Sequence, residues 1–171
     1  QAQLERWPIA GLAPPANVPS GRVVINDYAA DKLSFYLHST VRWERSDCSS
    51  ERDVKVTITL TNDTPATGLT KYVTGREPGD PHVGDSVIRL DYQATSGAVA
   101  KGVTVDGTRV PFSAGTELGH PVYGQILKLP RGATRIVVIT LVEPAGTGTP
   151  QILAQPMVNP MAVTVSDAIC S

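Results

Sequence analysis

The sequence predicts an all-β domain, and three observations support that fold class. Among 171 residues there are 20 Val and 17 Thr, two β-branched types that favour strands. A further 15 Gly and 14 Pro supply turns. No segment of ten or more residues carries a helical hydrophobic period. Together these features predict an antiparallel β-sandwich, immunoglobulin-like or related, of about nine strands, with a closed barrel as the alternative.

The chain divides into two unequal parts. Residues 1–21 contain Pro8, Pro14, Pro15 and Pro19, which exclude a long helix. We expect this part to be an extended or short-helical segment that packs on the domain, with a disordered leader as the alternative. Residues 22–171 form a single β-sandwich domain. Because the chain starts at Gln1 and not at Met, we expect it to be a piece of a longer protein.

The strands follow from alternating apolar and polar residues. The clearest lies over residues 53–61, where Val and Ile face inward and Thr and Lys outward. Residues 32–45 alternate over a longer stretch, which predicts inward positions for Phe35 and Trp43. Residues 122–129 and 134–142 are predicted to pair, joined by a short turn. The remaining predicted strands are 22–26, 85–94, a hairpin over 99–110, 152–157 and 161–165.

Turn residues refine two of these predictions. Asp106-Gly107, between two β-branched runs, indicates a type I′ turn, because both turn positions need positive φ. Pro156 and Pro160 interrupt the last two strands and predict that these lie at sheet edges, since proline cannot donate to a central ladder.

Two cysteines, Cys48 and Cys170, lie too far apart for a redox or zinc motif. We predict that they form one disulfide, which implies an oxidising, extracytoplasmic location. No apolar stretch approaches the length that a transmembrane helix requires, so no transmembrane segment is expected in this chain.

Charge and motifs narrow the possible functions. With 15 basic and 16 acidic residues and no basic cluster, nucleic acid is not an expected partner. The histidines His38, His82 and His120 are dispersed, so neither a metal nor another cofactor is predicted. No GxSxG motif is present, and no catalytic residue is predicted.

The candidate binding site is a long loop. Residues 62–84 show no strand pattern, and ordered loops of this length are often functional. Five side chains there could contact a glycan or an anionic partner: Lys71, Tyr72, Arg76, Asp80 and His82. The alternative is a cover over one end of the sandwich, with Leu69, Tyr72 and Val73 packed into the core.

Five segments taken together resemble a family of actinobacterial cell-envelope proteins, domain of unknown function four thousand and twelve. The resemblance covers nearly the whole chain, from about residue 11 to residue 170. It rests on residues 24–37 (VINDYAADKLSFYL), 56–62 (VTITLTN), 72–76 (YVTGR), 119–123 (GHPVY) and 155–161 (QPMVNPM). The spacing between Asn26 and Lys32 is one residue longer than in the family pattern. The resemblance implies a membrane-anchored envelope protein with a larger N-terminal domain that this chain lacks, and it carries over no catalytic residue.

The expected function is therefore a non-catalytic, extracytoplasmic module that acts in protein–protein interaction or assembly. Its partner would be an envelope protein or the missing N-terminal domain of the same protein. A second hypothesis is a module that binds cell-wall glycan, which requires exposed aromatic rings. Trp7, Tyr28, Tyr36, Tyr72 and Tyr123 are the available ones. A third is part of an envelope-polymer hydrolase or transferase, which requires converging acidic residues.

Overall fold

The computed structural model describes residues 14–46 and 51–167, which form two β-sheets packed face to face. This confirms the predicted all-β sandwich. Eleven strands are present in the described residues, two more than the sequence indicated. They are β1 (Ser20–Asp27), β2 (Leu37–Arg45), β3 (Glu51–Asn62), β4 (Ser86–Ala94), β5 (Val99–Val105), β6 (Thr108–Val110), β7 (Ser113–Glu117), β8 (His120–Leu129), β9 (Thr134–Pro144), β10 (Gln151–Ala154) and β11 (Ala162–Asp167). One short helix, α1 (Lys71–Thr74), lies between β3 and β4.

The first sheet has the order β10-β1-β4-β8-β7, and the second has the order β11-β2-β3-β9-β5-β6. All pairs are antiparallel except β1 with β10 and β2 with β11, which are parallel. These two parallel strands are the proline-flanked segments, and both lie at sheet edges as predicted. No helix in the described ranges is long and apolar enough to cross a membrane.

The core lies between the inner faces of the two sheets. β3 alternates as the sequence predicts, with Val54, Val56, Ile58 and Leu60 buried. Trp43 from β2 and Tyr92 from β4 are the largest fully buried side chains. Each points from its own sheet toward the other sheet. Alternation on both sheets is the pattern of an aligned sandwich, in which each inner face contributes every second residue.

The predicted strand over residues 32–45 is wrong in its first part. Leu33–Tyr36 form a 3₁₀ turn, and β2 begins at Leu37. The carboxylate of Asp31 accepts a hydrogen bond from the Leu33 backbone N–H at 2.8 Å, which starts the turn. Because the turn breaks the alternation, Phe35 is not inward but 57% exposed.

The predicted pairing of 122–129 with 134–142 is also wrong. β8 belongs to the five-stranded sheet and β9 to the six-stranded sheet, so residues 130–133 cross between sheets and do not close a hairpin. The crossing is held by Asn62, whose backbone N–H donates to the Ala133 carbonyl at 3.0 Å. Its carbonyl accepts from the Gly132 N–H at 2.8 Å. The local sequence of neither strand indicates this tertiary contact.

The predicted hairpin at Asp106-Gly107 is confirmed. Asp106 has φ 50° and Gly107 has φ 81°, as a type I′ turn requires, and they join β5 to β6. The Asp106 carboxylate also accepts hydrogen bonds from the Ile136 N–H and from Arg135, which lower the pKa of Asp106. The turn is thereby attached to β9.

Candidate functional site

The loop over residues 62–84 is attached to the sandwich by one buried side chain. Asn62 is 2% exposed, and its amide nitrogen donates to the carbonyls of Gly84 and Leu129 at 2.8 and 2.9 Å. Its amide oxygen accepts from the N–H and the hydroxyl of Thr64. Both ends of the loop are therefore bound to the same residue. Asn62 also opens a glycosylation sequence, Asn-Asp-Thr, but its buried amide is not accessible to modification.

The five predicted binding residues all lie on this loop, but they do not converge on one point. Lys71 pairs with Glu77, and Arg76 pairs with Asp80 at 3.6 Å. His82 Nδ1 lies 2.9 Å from a carboxylate oxygen of Asp85, which lies just beyond the loop. The interaction with His82 and the Arg131 N–H together lower the pKa of Asp85, against the opposing effect of its partial burial. The loop thus presents paired charges.

The alternative prediction, that the loop only covers one end of the sandwich, is correct in part. Leu69 and Val73 are half-buried, as a cover would require, but Tyr72 is 75% exposed and not packed into the core. The Lys32 ammonium lies 4.0 Å from the centre of the Tyr72 ring, a cation–π contact that holds the ring at the surface. The loop covers part of the sandwich end and exposes an aromatic ring on it.

Three exposed aromatic side chains lie on two neighbouring segments of this end. Tyr28 is 60% exposed and belongs, like Phe35, to residues 27–36. Tyr72 belongs to residues 70–76, which contact the first segment through the Lys32 N–H and the Val73 carbonyl at 2.9 Å. We call the surface of Tyr28, Lys32, Phe35 and Tyr72 the aromatic end. Of the other aromatics considered for glycan binding, Tyr36 is half-buried and stacks edge-on against Phe35, Tyr123 is buried, and Trp7 lies outside the described residues.

The opposite end of the sandwich carries one buried carboxyl group. Glu143 is 1% exposed, and one of its oxygens accepts a hydrogen bond from the Thr95 hydroxyl at 2.7 Å. Burial raises the pKa of Glu143 to about 7, although Thr95 and Arg45 act in the opposite direction. Glycoside hydrolysis by the usual route needs a second carboxyl group on the other side of the bond. The interactions of Glu143 given above are with a hydroxyl and a guanidinium, not with a second carboxyl group.

Glu143 is the functional group that sequence reasoning missed. It continues the inward parity of Val137, Ile139 and Leu141 along β9, so the alternation itself pointed to its burial. Among the described residues, no group of three His, Cys, Asp or Glu side chains could hold a metal ion.

The cysteines and histidines are placed as follows. Cys48 and Cys170 lie outside the described residues, so their disulfide stays a prediction. His38 is exposed beside Asp63, at 3.8 Å. His120 begins β8 and is buried, with its ring nitrogens 2.9 Å from the Ala94 carbonyl and 3.1 Å from the Pro14 carbonyl. It is a structural link between β4, β8 and the segment before β1.

Concave surfaces occur in several places on the described chain. The long loop borders one of 300 Å³, lined by Arg76, His82, Asp85 and Lys128 among others. Two larger neighbours, of 470 and 430 Å³, lie on the outer face of the five-stranded sheet and do not include the loop. These two concavities are larger than the one at the loop, where the sequence placed the binding site.

No known family model matches this sequence, and no curated protein matches it. Among solved structures, a proposed nutrient-binding protein from Legionella pneumophila aligns with 74% of this chain at 10% identity and a TM-score of 0.44. A mutant M1 zinc metallopeptidase from Deinococcus radiodurans, bound to a substrate, aligns with 75% of it at 16% identity and a TM-score of 0.31. The chain spans 44% and 20% of the lengths of these proteins. Similarity at this level carries no functional argument.

Proposed function

We propose that this chain is a non-catalytic β-sandwich module of an extracytoplasmic cell-envelope protein, and that it acts by binding another envelope protein through its aromatic end. The observation that carries the proposal is the exposure of Tyr28, Phe35 and Tyr72, each more than half accessible, on adjoining segments. Large aromatic side chains are enriched at the centres of protein interfaces. The envelope location comes from the resemblance to the actinobacterial family.

The rigidity of these segments supports the proposal. Residues 70–76 contain α1, whose end is closed by Gly75 with φ 66° and by a hydrogen bond from its N–H to the Lys71 carbonyl. Residues 27–36 are held by the Asp27 and Asp31 carboxylates, which accept from the N–H groups of Ala29 and Leu33. Rings carried on pre-ordered backbone lose little conformational entropy when a partner covers them, which favours affinity.

The charges around the rings suit a protein partner. Lys71 with Glu77, and Arg76 with Asp80, are surface ion pairs of both signs beside Tyr72. Such pairs contribute little to stability, but a rim of mixed charge around an aromatic centre is the usual composition of a specific interface. In this arrangement Tyr72 is the central contact, and the other four residues predicted from the sequence are rim contacts.

Site-specific crosslinking tests the proposal. A photoreactive amino acid is placed at Tyr72 in the protein expressed in its source bacterium, and at Ile136 as a control. Ile136 is 44% exposed on the outer face of the six-stranded sheet, where its backbone N–H donates to Asp106 of the β5–β6 turn. We expect one discrete crosslinked envelope protein from position 72 and none from position 136. The variant Phe35→Ser removes one of the three exposed rings and should therefore weaken the adduct. It should keep the fold, because exposed substitutions change stability by less than about 0.5 kcal/mol.

Two outcomes would contradict the proposal. One is the absence of a discrete adduct at position 72 in intact cells that contain folded protein. The other is the same adduct pattern from positions 72 and 136, which would mean nonspecific contact.

A further inference from the structure

The outer face of the five-stranded sheet carries a trough that runs along β8, between the outward side chains of β4 and those of β7. Two concavities of 470 and 430 Å³ lie along it, and Arg89 lines both. The strand register places Asp91 beside Gly124, and Gly124 beside Ser113, in one row across three strands. From Val122 to Ile126 the trough is about 13 Å long at the usual rise per strand residue.

Two glycines shape the trough in different ways. A Cβ atom at Gly124 would lie 2.4 Å from Asp91 Oδ1, 2.6 Å from Ser113 Oγ and 2.7 Å from Arg89 Nη2. The absence of a side chain thus lets three polar groups meet above the strand. At Gly115 on β7 a Cβ atom would meet nothing within 4 Å, so that position faces open space. A glycine inside a strand often marks a place where another molecule approaches the backbone.

The larger concavity is lined by donors and acceptors in balance. Its guanidinium groups are Arg22 and Arg89, and its carboxylates are Asp91 and Glu117. Gln93 is 5% exposed and donates from its amide nitrogen to the Glu117 carbonyl at 3.1 Å, which fixes its orientation. Guanidinium groups only donate and carboxylates only accept, whereas a hydroxyl does both. A lining of both types with no net charge suits a neutral ligand rich in hydroxyl groups.

The smaller concavity adds an apolar wall. Pro111, Phe112 and Ile126 line it. Ile126 is 44% exposed, whereas the Phe112 ring packs against the core, with its centre 5.7 Å from that of Tyr123. Sugar rings combine hydroxyl edges with apolar C–H faces, so an apolar wall beside a hydroxyl-binding lining matches both. Between the two concavities, Arg89 Nη2 donates to Ser113 Oγ at 3.3 Å and bridges the trough.

The backbone beneath the trough excludes a peptide added as a strand. β8 is hydrogen-bonded to β4 on one side and to β7 on the other, so it presents no free edge to a peptide in the trough. The two carboxylates balance the two guanidinium groups, so the lining offers no net attraction to a strongly anionic polymer. A neutral glycan fits both the balanced lining and the closed backbone.

We propose that this trough is a binding site for a neutral polysaccharide chain, with hydroxyl contacts at Arg22, Gln93 and Glu117 and apolar contact at Ile126. Arg89 lies between the two subsites and contacts the chain as it crosses from one to the other. The trough shares no residue with the aromatic end, but the two surfaces adjoin, since Tyr28 acts electrostatically on Arg89. The crosslinking at Tyr72 and the glycan titration read different residues, so the two proposals can fail separately.

Nitrogen-15 NMR titration of the chain tests the site. The probes are neutral hexasaccharides of glucose, of mannose and of N-acetylglucosamine, with polygalacturonate as the anionic comparison. We expect at least one neutral probe at millimolar concentration to shift the amide signals of Gly115 and Gly124, with smaller or no shifts at the aromatic end. Shifts produced only by polygalacturonate, shifts confined to the aromatic end, or no shifts from any probe would each overturn the proposal.

Matched variants on one strand add a second test. Gly115→Leu places a side chain in the trough, and Ala114→Leu places the same side chain one position away on the opposite face of β7. Both positions are exposed, so both variants should keep the dispersed spectrum of the folded chain. Gly115→Leu should weaken glycan binding by about tenfold or more, a loss of about 1.4 kcal/mol, while Ala114→Leu leaves it unchanged. Equal affinity in the two variants would contradict the assignment.

Discussion

Asn62 and Glu143 lie at the two ends of the sandwich and differ in how completely their buried polar atoms are hydrogen-bonded. At the Asn62 end, both atoms of the buried side-chain amide have partners, since two carbonyls accept from the nitrogen and Thr64 donates to the oxygen. At the Glu143 end, three buried polar atoms have no well-formed hydrogen bond: Glu143 Oε1, the Tyr92 hydroxyl and Trp43 Nε1. The Tyr92 hydroxyl lies beside both other groups, and its pKa is raised by burial and by the Glu143 charge. Ser39 Oγ, nearer the Asn62 end, is a fourth such atom among the described residues.

We call the Asn62 end the fixed end. We call the Glu143 end the tunable end, because the stability that it contributes depends on pH. A fully satisfied buried amide gains stability from every partner and holds one geometry. A buried carboxyl with an unpaired oxygen has a cost that depends on its charge and therefore on pH. The fixed end is also the end that carries the exposed aromatic rings, which suits a surface that must keep its shape. The following predictions test the contrast, from the largest expected effect to the smallest.

The largest effect concerns the two cysteines, which follow the strands that end beside Glu143. β2 and β11 pair in parallel with a constant offset, Thr40 opposite Ala162 and Arg45 opposite Asp167. Arg45 also donates two hydrogen bonds to Asp167, and these residues are 122 positions apart. Cys48 and Cys170 have the same separation. We therefore expect a disulfide that stabilises this end by about 4–5 kcal/mol on the chain-entropy model.

Urea unfolding with and without a thiol reductant measures this effect. The double variant Cys48→Ser/Cys170→Ser is the control and should not respond to the reductant. Alkylation of the unfolded, unreduced protein followed by intact mass measurement gives the direct answer. Addition of two alkyl groups would show that the bridge is absent.

The second prediction concerns Asn62. Asn62→Ala removes the partners of two carbonyls and of Thr64 in a buried site, so it should destabilise the fold by about 3–4 kcal/mol. Asn159→Ala is the matched control, because the Asn159 amide also donates to two carbonyls, those of Phe35 and Leu37, from a more exposed position. We expect less than about 1 kcal/mol there. The free energy of unfolding is measured with urea. Similar losses of stability in the two variants would show that the buried site of Asn62 is no more important than the more exposed one of Asn159.

The sequence predicted those parts of the molecule in which local pattern decides structure. β3 follows from its alternation, and the β5–β6 hairpin follows from Asp106-Gly107, whose positive φ angles are local requirements. Phe35 was misplaced because the cap at Asp31 competes with a strand whose alternation was intact. A short local hydrogen bond there outweighs the hydrophobic pattern.

The sites were less predictable than the fold, because they depend on which strands become neighbours. Arg89, Ser113 and Gly124 meet only because β4, β8 and β7 are adjacent, and outward polar residues give no sign of this in the sequence. The five loop residues were recognised by type, and they do lie together on one loop. Their pairing into separate ion pairs depends on distances that spacing along the chain does not give.

The last prediction tests the tunable end through Glu143. Its pKa is about 7 in the folded chain, raised from 4.5, so folding favours the protonated carboxyl. The resulting stability is complete below pH 4.5 and is lost as the pH rises through 7, by about 3 kcal/mol in total. The groups that act on this carboxyl are Arg45, the Thr95 hydroxyl and N–H, and the Tyr92 hydroxyl.

Glu143→Gln keeps the shape of the side chain and removes its titration. We expect the stability difference between the variant and the wild type to grow in favour of the variant as the pH is raised from 5 to 8, reaching about 3 kcal/mol. Contributions from the three histidines cancel in this difference, since both proteins contain them. Glu117→Gln on β7, at an exposed carboxyl, is the control and should change stability by less than about 0.5 kcal/mol at each pH. A difference between Glu143→Gln and wild type that does not vary with pH would mean that both ends of the sandwich are equally fixed.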